Sequence, residues 1–208
     1  MPAFGDPIPR RTLLRRAAAL IAWPAALGAA GASLASPAQA SSTLAPSALV
    51  PPAPEEVAVE LPAARLQGQA TMRYLGFEIY EARLWTAPDF SPTHYASHAF
   101  ALELRYARKL DGAAIAERSL AEMRRVGSFD DARAKGWREM LGRALPDVEP
   151  GDRLTGVRAE GGTTRFYRNG RPTAVIEDAD FARLFFGIWL SPRTSEPALR
   201  RGLIGAGR

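Results

Sequence analysis

A chain of 208 residues with 27 lysines and arginines against 22 aspartates and glutamates, and no cysteine, is long enough to bury one core and excludes disulfide stapling as its source of stability. Four of those arginines and a single acid, Asp6, fall in the first 40 residues, so the remainder is close to neutral and lacks the basic excess a nucleic-acid-binding surface needs. His94 and His98, the only histidines, stand in a Ser/Pro/Thr stretch without an HExxH pattern, so neither a metal nor another cofactor is expected.

The chain begins with "RRTLLRR", Arg10 to Arg16, followed by an Ala/Leu-rich run and the small-residue triplet Ala38-Gln39-Ala40. This order predicts a cleaved export signal over residues 1–40. The arginine pair resembles the twin-arginine motif, with an ordinary Sec leader as the alternative, and either route predicts a periplasmic protein. Pro24, Gly28, Gly31 and Ser33 interrupt the apolar run, so no permanent membrane span is expected after signal removal. Residues 41–54, "SSTLAPSALVPPAP", read as a flexible leader, and residues 55–208 as one domain.

From Val57 to Thr86 the composition favours two or three strands, broken at Pro62, Gly68 and Gly76. Phe100, Leu102, Leu104 and Tyr106 then alternate with Ala101, Glu103, Arg105 and Ala107, the period of a strand with one dry face. Asp111 is placed to cap a helix that carries Ile115, Ala116, Ser119, Leu120 and Met123 on one stripe and stops at Gly127. A second helix puts Ala132, Gly136, Trp137, Met140, Leu141, Ala144 and Leu145 on its stripe before Pro146. Trp137 and the methionines read as core.

Three short strands follow, "DRLTGVRAE", "TTRFYRN" and "RPTAVIED", separated by Gly161-Gly162 and Asn169-Gly170, which suit tight hairpins. Asp178 or Asp180 caps a helix with Phe181, Leu184, Phe185, Ile188 and Trp189 at strict helical spacing, and Pro197 opens a short last helix. Strands, two helices, three strands and two helices predict an α+β fold with the helices gathered on one face of an antiparallel sheet.

Several familiar sites are missing from this sequence. There is no phosphate loop, no GxSxG elbow, and the paired acids Asp130-Asp131 and Asp147-Glu149 read as caps and turns. What remains is "FEIYEARLW", Phe77 to Trp85, with the arginine-tyrosine neighbourhoods "MRYLGF" and "LRYARKL". In a strand starting at Phe77, Tyr80 shares a face with Glu78, Ala82 and Leu84, while Glu81 and Arg83 share the other with Ile79 and Trp85. Mixed linings of this kind suit an amphipathic small-molecule cleft.

"LQGQATMRYLGFEIYEARLW", "ALELRYARKLDGAAIAERSLAEMRR", "LPDVEPGDRLTGV" and "TRFYRNGRPTAVIEDADFARLFFGIWLSPRTSEPALRRGLIG" together resemble the bacterial exported branch of the chalcone isomerase-like family. The resemblance implies an open-faced antiparallel β-sandwich with a helix layer over one face and a cleft between them. Plant chalcone isomerases hold a phenolate with an arginine and polarise a ketone through water, a threonine and a tyrosine. Fatty-acid-binding members hold a carboxylate with an arginine and a tyrosine. The resemblance places Tyr80 at the threonine or tyrosine position and makes Arg73 the nearest anion-holding arginine, although "GQATMR" stands where the family reads GxGxR. Arg73 and Tyr80 can share a face only if Leu75-Gly76 turns the chain. The isomerases' catalytic tyrosine and asparagine have no counterpart here.

The expectation is therefore a domain binding a hydrophobic small molecule with an anionic or phenolic end. Tyr80 and Arg73 or Arg105 would grasp that end, with Tyr106, Trp189 and Phe185 contributing to the walls. The alternatives are an intramolecular lyase or isomerase acting on a conjugated ketone, with Tyr80 as acid, and a structural envelope protein without ligand.

Overall fold

A computed structural model of the chain describes residues 51–205. The expected export signal and most of the expected leader lie outside the described residues. Six strands, β1 (Arg65–Tyr74), β2 (Phe77–Thr86), β3 (Phe100–Tyr106), β4 (Arg153–Arg158), β5 (Thr163–Arg168) and β6 (Arg171–Glu177), pair antiparallel in chain order as one sheet. Five α-helices accompany them: α1 (Glu55–Glu60), α2 (Gly112–Val126), α3 (Asp131–Ala144), α4 (Ala179–Leu190) and α5 (Pro197–Ile204). Among the described residues no helix is long and apolar enough to cross a membrane.

The turn chemistry sets the meander. Asn169 and Gly170 link β5 to β6 with φ of 51° and 82°, the left-handed pair a two-residue hairpin requires. Leu75 and Gly76 link β1 to β2 with φ of 49° and 81°. The side chains of Asp111, Asp130 and Asp178 each accept the backbone N–H three residues on, at 2.8, 2.8 and 3.0 Å, and so start α2, α3 and α4.

The inner face of the sheet packs on α2 and α4. Phe100 on β3 meets Phe186 of α4 edge to face at 4.8 Å, and Phe181 stacks on Phe185 at 5.3 Å. Met123 is fully buried, and Trp137 is buried with its indole N–H donating to Asp178 Oδ2 at 2.9 Å, so both are core residues. Helix α5 closes over β1, where Gly68 and Gly202 let the two backbones touch. A Cβ at Gly68 would lie 2.3 Å from the Gly202 carbonyl oxygen and 2.5 Å from that of Leu203. Gly68 therefore does not break a strand, as its residue type suggested; it sits inside β1 beside a register shift.

The outer face of the sheet is not left bare. Residues 57–60, read as the start of a strand region, lie instead in α1, and Val57 packs on Trp85, Ala101 and Val157. Glu56 is buried there, accepting from Arg153 Nη2 at 2.9 Å and Thr155 Oγ1 at 2.7 Å. Trp85 donates to buried Glu103 at 2.9 Å, and Arg83 pairs with Glu81 at 2.6 Å. The charges of "FEIYEARLW" at positions 81 and 83 thus belong to a paired outer layer away from the tyrosine.

Asp152 ties the β5–β6 hairpin to the loop before β4. It accepts from Asn169 Nδ2 at 2.7 Å, from the Glu149 N–H at 2.8 Å and from Arg168 Nη2 at 2.8 Å. Those bonds, Asn169's first, hold its carboxyl at about 2. A carboxyl lowered from roughly 3.9 when unfolded stabilises the fold above that value, and the contribution is lost as pH falls through about 2. Asp152→Asn is accordingly expected to lower the melting temperature at pH 6 and to match the wild type below about pH 2. Thermal unfolding followed against pH checks this, and a pH-independent gap would assign the effect to shape alone.

Candidate functional site

Between the sheet and the pair α2 and α4 lies a cavity of about 390 Å³, within the size range of small-molecule sites. Its floor is the inward-facing set of the central strands: Leu102 and Leu104 of β3, Leu154 and Gly156 of β4, and Phe166 of β5. Gly156 keeps the floor low, because a Cβ there would press within 3.2 Å of the Phe186 ring. Ile115 of α2 and Phe185, Phe186 and Ile188 of α4 form the roof. These helices lie there because their apolar stripes have nowhere else to be buried.

The polar end is built by strand register. Tyr80 of β2 lies directly opposite Tyr106 of β3, and their rings meet edge to face at 5.7 Å. Trp189 of α4 donates its indole N–H to the Tyr80 hydroxyl at 3.1 Å. That hydroxyl is an acceptor in this bond, so its own proton remains available to a guest. The Tyr106 hydroxyl has no hydrogen-bond partner among the described residues. Tyr80 is half-buried and lines the cavity, and removal from bulk water pushes its phenol up to about 12. The Trp189 bond opposes that rise, and the carboxylates of Glu196 and Glu122 add to it. Burial first, and Tyr80 second, push the Tyr106 phenol up as well. Both groups are neutral donors at any physiological pH.

Tyr80, Tyr106 and Trp189, three of the residues expected from the sequence, therefore come together. Arg73 and Arg105 do not join them. Arg73 stands on the β1–β2 hairpin, mostly exposed, and pairs with Glu78 at 3.3 Å. The turn at Leu75-Gly76 does reverse the chain, but Met72 and Tyr74 on either side of Arg73 line the cavity, so Arg73 points to the other face. Arg105 is exposed on the outer face, because it adjoins inward-facing Tyr106 and neighbours on a strand alternate sides. The cation that does line the cavity is Arg118 of α2, largely exposed and bonded to buried Glu122 at 2.7 Å. Arg125 supports the same carboxylate at 3.4 Å. Asp111, Glu122 and Glu196 outnumber this arginine around the opening. Sequence reasoning missed the α2 contribution. Its signal was a polar interruption, Ser119 and Glu122, in the helical stripe that starts at Ile115.

The family described as chalcone isomerase-like matches residues 52–205. The crystal structure of a fatty-acid binding protein from Arabidopsis thaliana superposes with a TM-score of 0.55 at 9% identity, covering 69% of this chain and 88% of that one. The likeness is one of fold: an open antiparallel sheet with a helix layer. No curated protein matches the chain.

Proposed function

The chain belongs to the chalcone isomerase-like family, and from that premise we propose that its domain binds a hydrophobic small molecule in the cavity beneath α2 and α4. The apolar body lies against Leu102, Leu104, Phe166 and Phe185, and the polar end accepts hydrogen bonds from Tyr80 and Tyr106. The observation that carries this reading is the facing pair of neutral phenols at the polar end of a largely apolar cavity, with their protons unspent. Such donors suit a carboxyl, ketone or phenol oxygen, as in fatty-acid-like or flavonoid-like molecules. A carboxylate would also meet Arg118, in competition with Glu122. The related structure titled a fatty-acid binding protein supports a long apolar ligand. "RRTLLRR" and Ala38-Gln39-Ala40 support export and a periplasmic site of action.

Binding is favoured over intramolecular lyase or isomerase chemistry because the cation on the cavity wall and the buried carboxylate beside it already neutralise each other. A conjugated ketone could take a hydrogen bond from Tyr80, but the carboxylate of Glu122, on the wall with it, is already engaged by Arg118 and Arg125. A purely structural role leaves the open volume unexplained.

Tyr80→Phe is expected to weaken retention of a fluorescent fatty-acid analogue by about fivefold to tenfold, the loss of one hydrogen bond in a dry site. Titration with thermal melting as a control checks this. Unchanged affinity would remove Tyr80 from the site.

A further inference from the structure

The β1–β2 hairpin ends in a tip whose chemistry disagrees with its backbone. Leu75-Gly76 and Asn169-Gly170 make nearly the same turn, with φ of 49° and 81° in one and 51° and 82° in the other. Asn-Gly is what this turn favours, because asparagine tolerates the left-handed region, whereas leucine is held there at a steric cost. The leucine gains nothing inside the fold in return: Leu75 is 80% exposed, and Tyr74 and Phe77 beside it are 63% and 57% exposed. Three of the five large apolar side chains exposed among the described residues are crowded onto this one tip. Strain kept for a side chain that faces water points to something outside the fold.

The surroundings say what kind of surface that is. The Arg108 guanidinium lies 4.4 Å over the Phe77 ring, and Arg73 flanks Tyr74. Arg108 forms no ion pair among the described residues, while Arg73 shares Glu78. Apolar side chains at a point, collared by arginines, match a lipid leaflet with anionic headgroups: the former enter the acyl boundary and the latter meet phosphates. Tyr74 also lines the cavity, so the tip stands beside its entrance.

We propose that the β1–β2 hairpin docks the protein on an anionic membrane surface, with Leu75 and Phe77 inserted and Arg73 and Arg108 on the headgroups. A hydrophobic guest then passes between bilayer and cavity without crossing open water. Docking stands on the hairpin alone; only this passage rests on the function proposed above.

The test uses ligand-free vesicles, so that its failure is separate from any failure of ligand binding. The wild-type chain is expected to sediment with vesicles of equal parts phosphatidylglycerol and phosphatidylcholine, and more weakly with phosphatidylcholine alone. Leu75→Asn is expected to lower that binding about tenfold, the loss of one inserted leucine, while melting no lower than wild type because asparagine suits the turn. Since the chain has no cysteine, Leu75→Cys carries a single environment-sensitive dye, and Val175→Cys, exposed on β6, serves as control. The dye at position 75 should shift to the blue on anionic vesicles and the dye at 175 should not. Equal binding by wild type and Leu75→Asn overturns the proposal, as does a dye at 75 that stays in water because another part of the chain reaches the vesicle. A blue shift without vesicles, together with a dimer in solution, overturns it in favour of a second copy as the partner.

Discussion

Replacing Ser119 by tryptophan is expected to abolish uptake of a hydrophobic ligand, lowering affinity by about a hundredfold or more, on the order of 3 kcal/mol. Ser119 is buried on α2 and lines the cavity, and its hydroxyl does no more than bond back to the Ile115 carbonyl at 2.8 Å in the preceding turn. An indole at that position projects into open volume, where a guest would otherwise lie, and meets apolar surfaces from both layers. Stability should change little, because filling a void adds contacts and the lost back-bond contributes almost nothing to a helix. Titration with a fluorescent fatty-acid analogue, paired with a melting curve, reads both quantities. A folded variant with unaltered affinity would move the ligand out of this cavity altogether.

The largest effect on stability is expected from Gly68→Ala. Nothing yields easily at that seam, because all three nearest atoms to the added methyl belong to the backbone of α5. The helix must lift from β1, at a cost of about 3 kcal/mol for overpacking of this severity. In a domain of this size that lowers the melting temperature by roughly 6–12 °C. Gly136→Ala on α3 is the matched control, since a Cβ there meets nothing within 4 Å. It should stabilise the helix by up to about 1 kcal/mol. Equal melting temperatures for the two variants would mean that α5 and β1 are not pressed together as described.

Much of the architecture was legible because its signals are local. Alternation along Phe100–Tyr106, the three aspartate caps and the Asn169-Gly170 turn each need only a few neighbouring residues, and each stands as expected. Helix α1 was hidden for the opposite reason. Two valines in six residues argue for a strand, and what holds the segment helical includes a bond from Thr155 to Glu56 across 99 positions. The same division runs through the site. Strand parity puts Tyr80 and Tyr106 on the inner face, and helical spacing turns Trp189 toward them. Pairing each tyrosine with the arginine beside it in sequence failed for Arg105, because adjacent strand residues point apart. It failed for Arg73 for the same reason, since Met72 and Tyr74 on either side of it line the cavity. Arg118 and Glu122 could be found only by knowing which helix covers which strands.

The seam between β1 and α5 also bears on how the molecule is made. Gln67 donates to the Ile204 carbonyl at 3.1 Å over a separation of 137 residues, so the first strand waits for the last helix. A ribosome releases the chain in the reverse of that convenience, delivering the five other strands before the piece that covers the first. The slow step of maturation is then closure of this longest loop. Until it closes, a nascent sheet with an uncovered margin is the species that chaperones would meet.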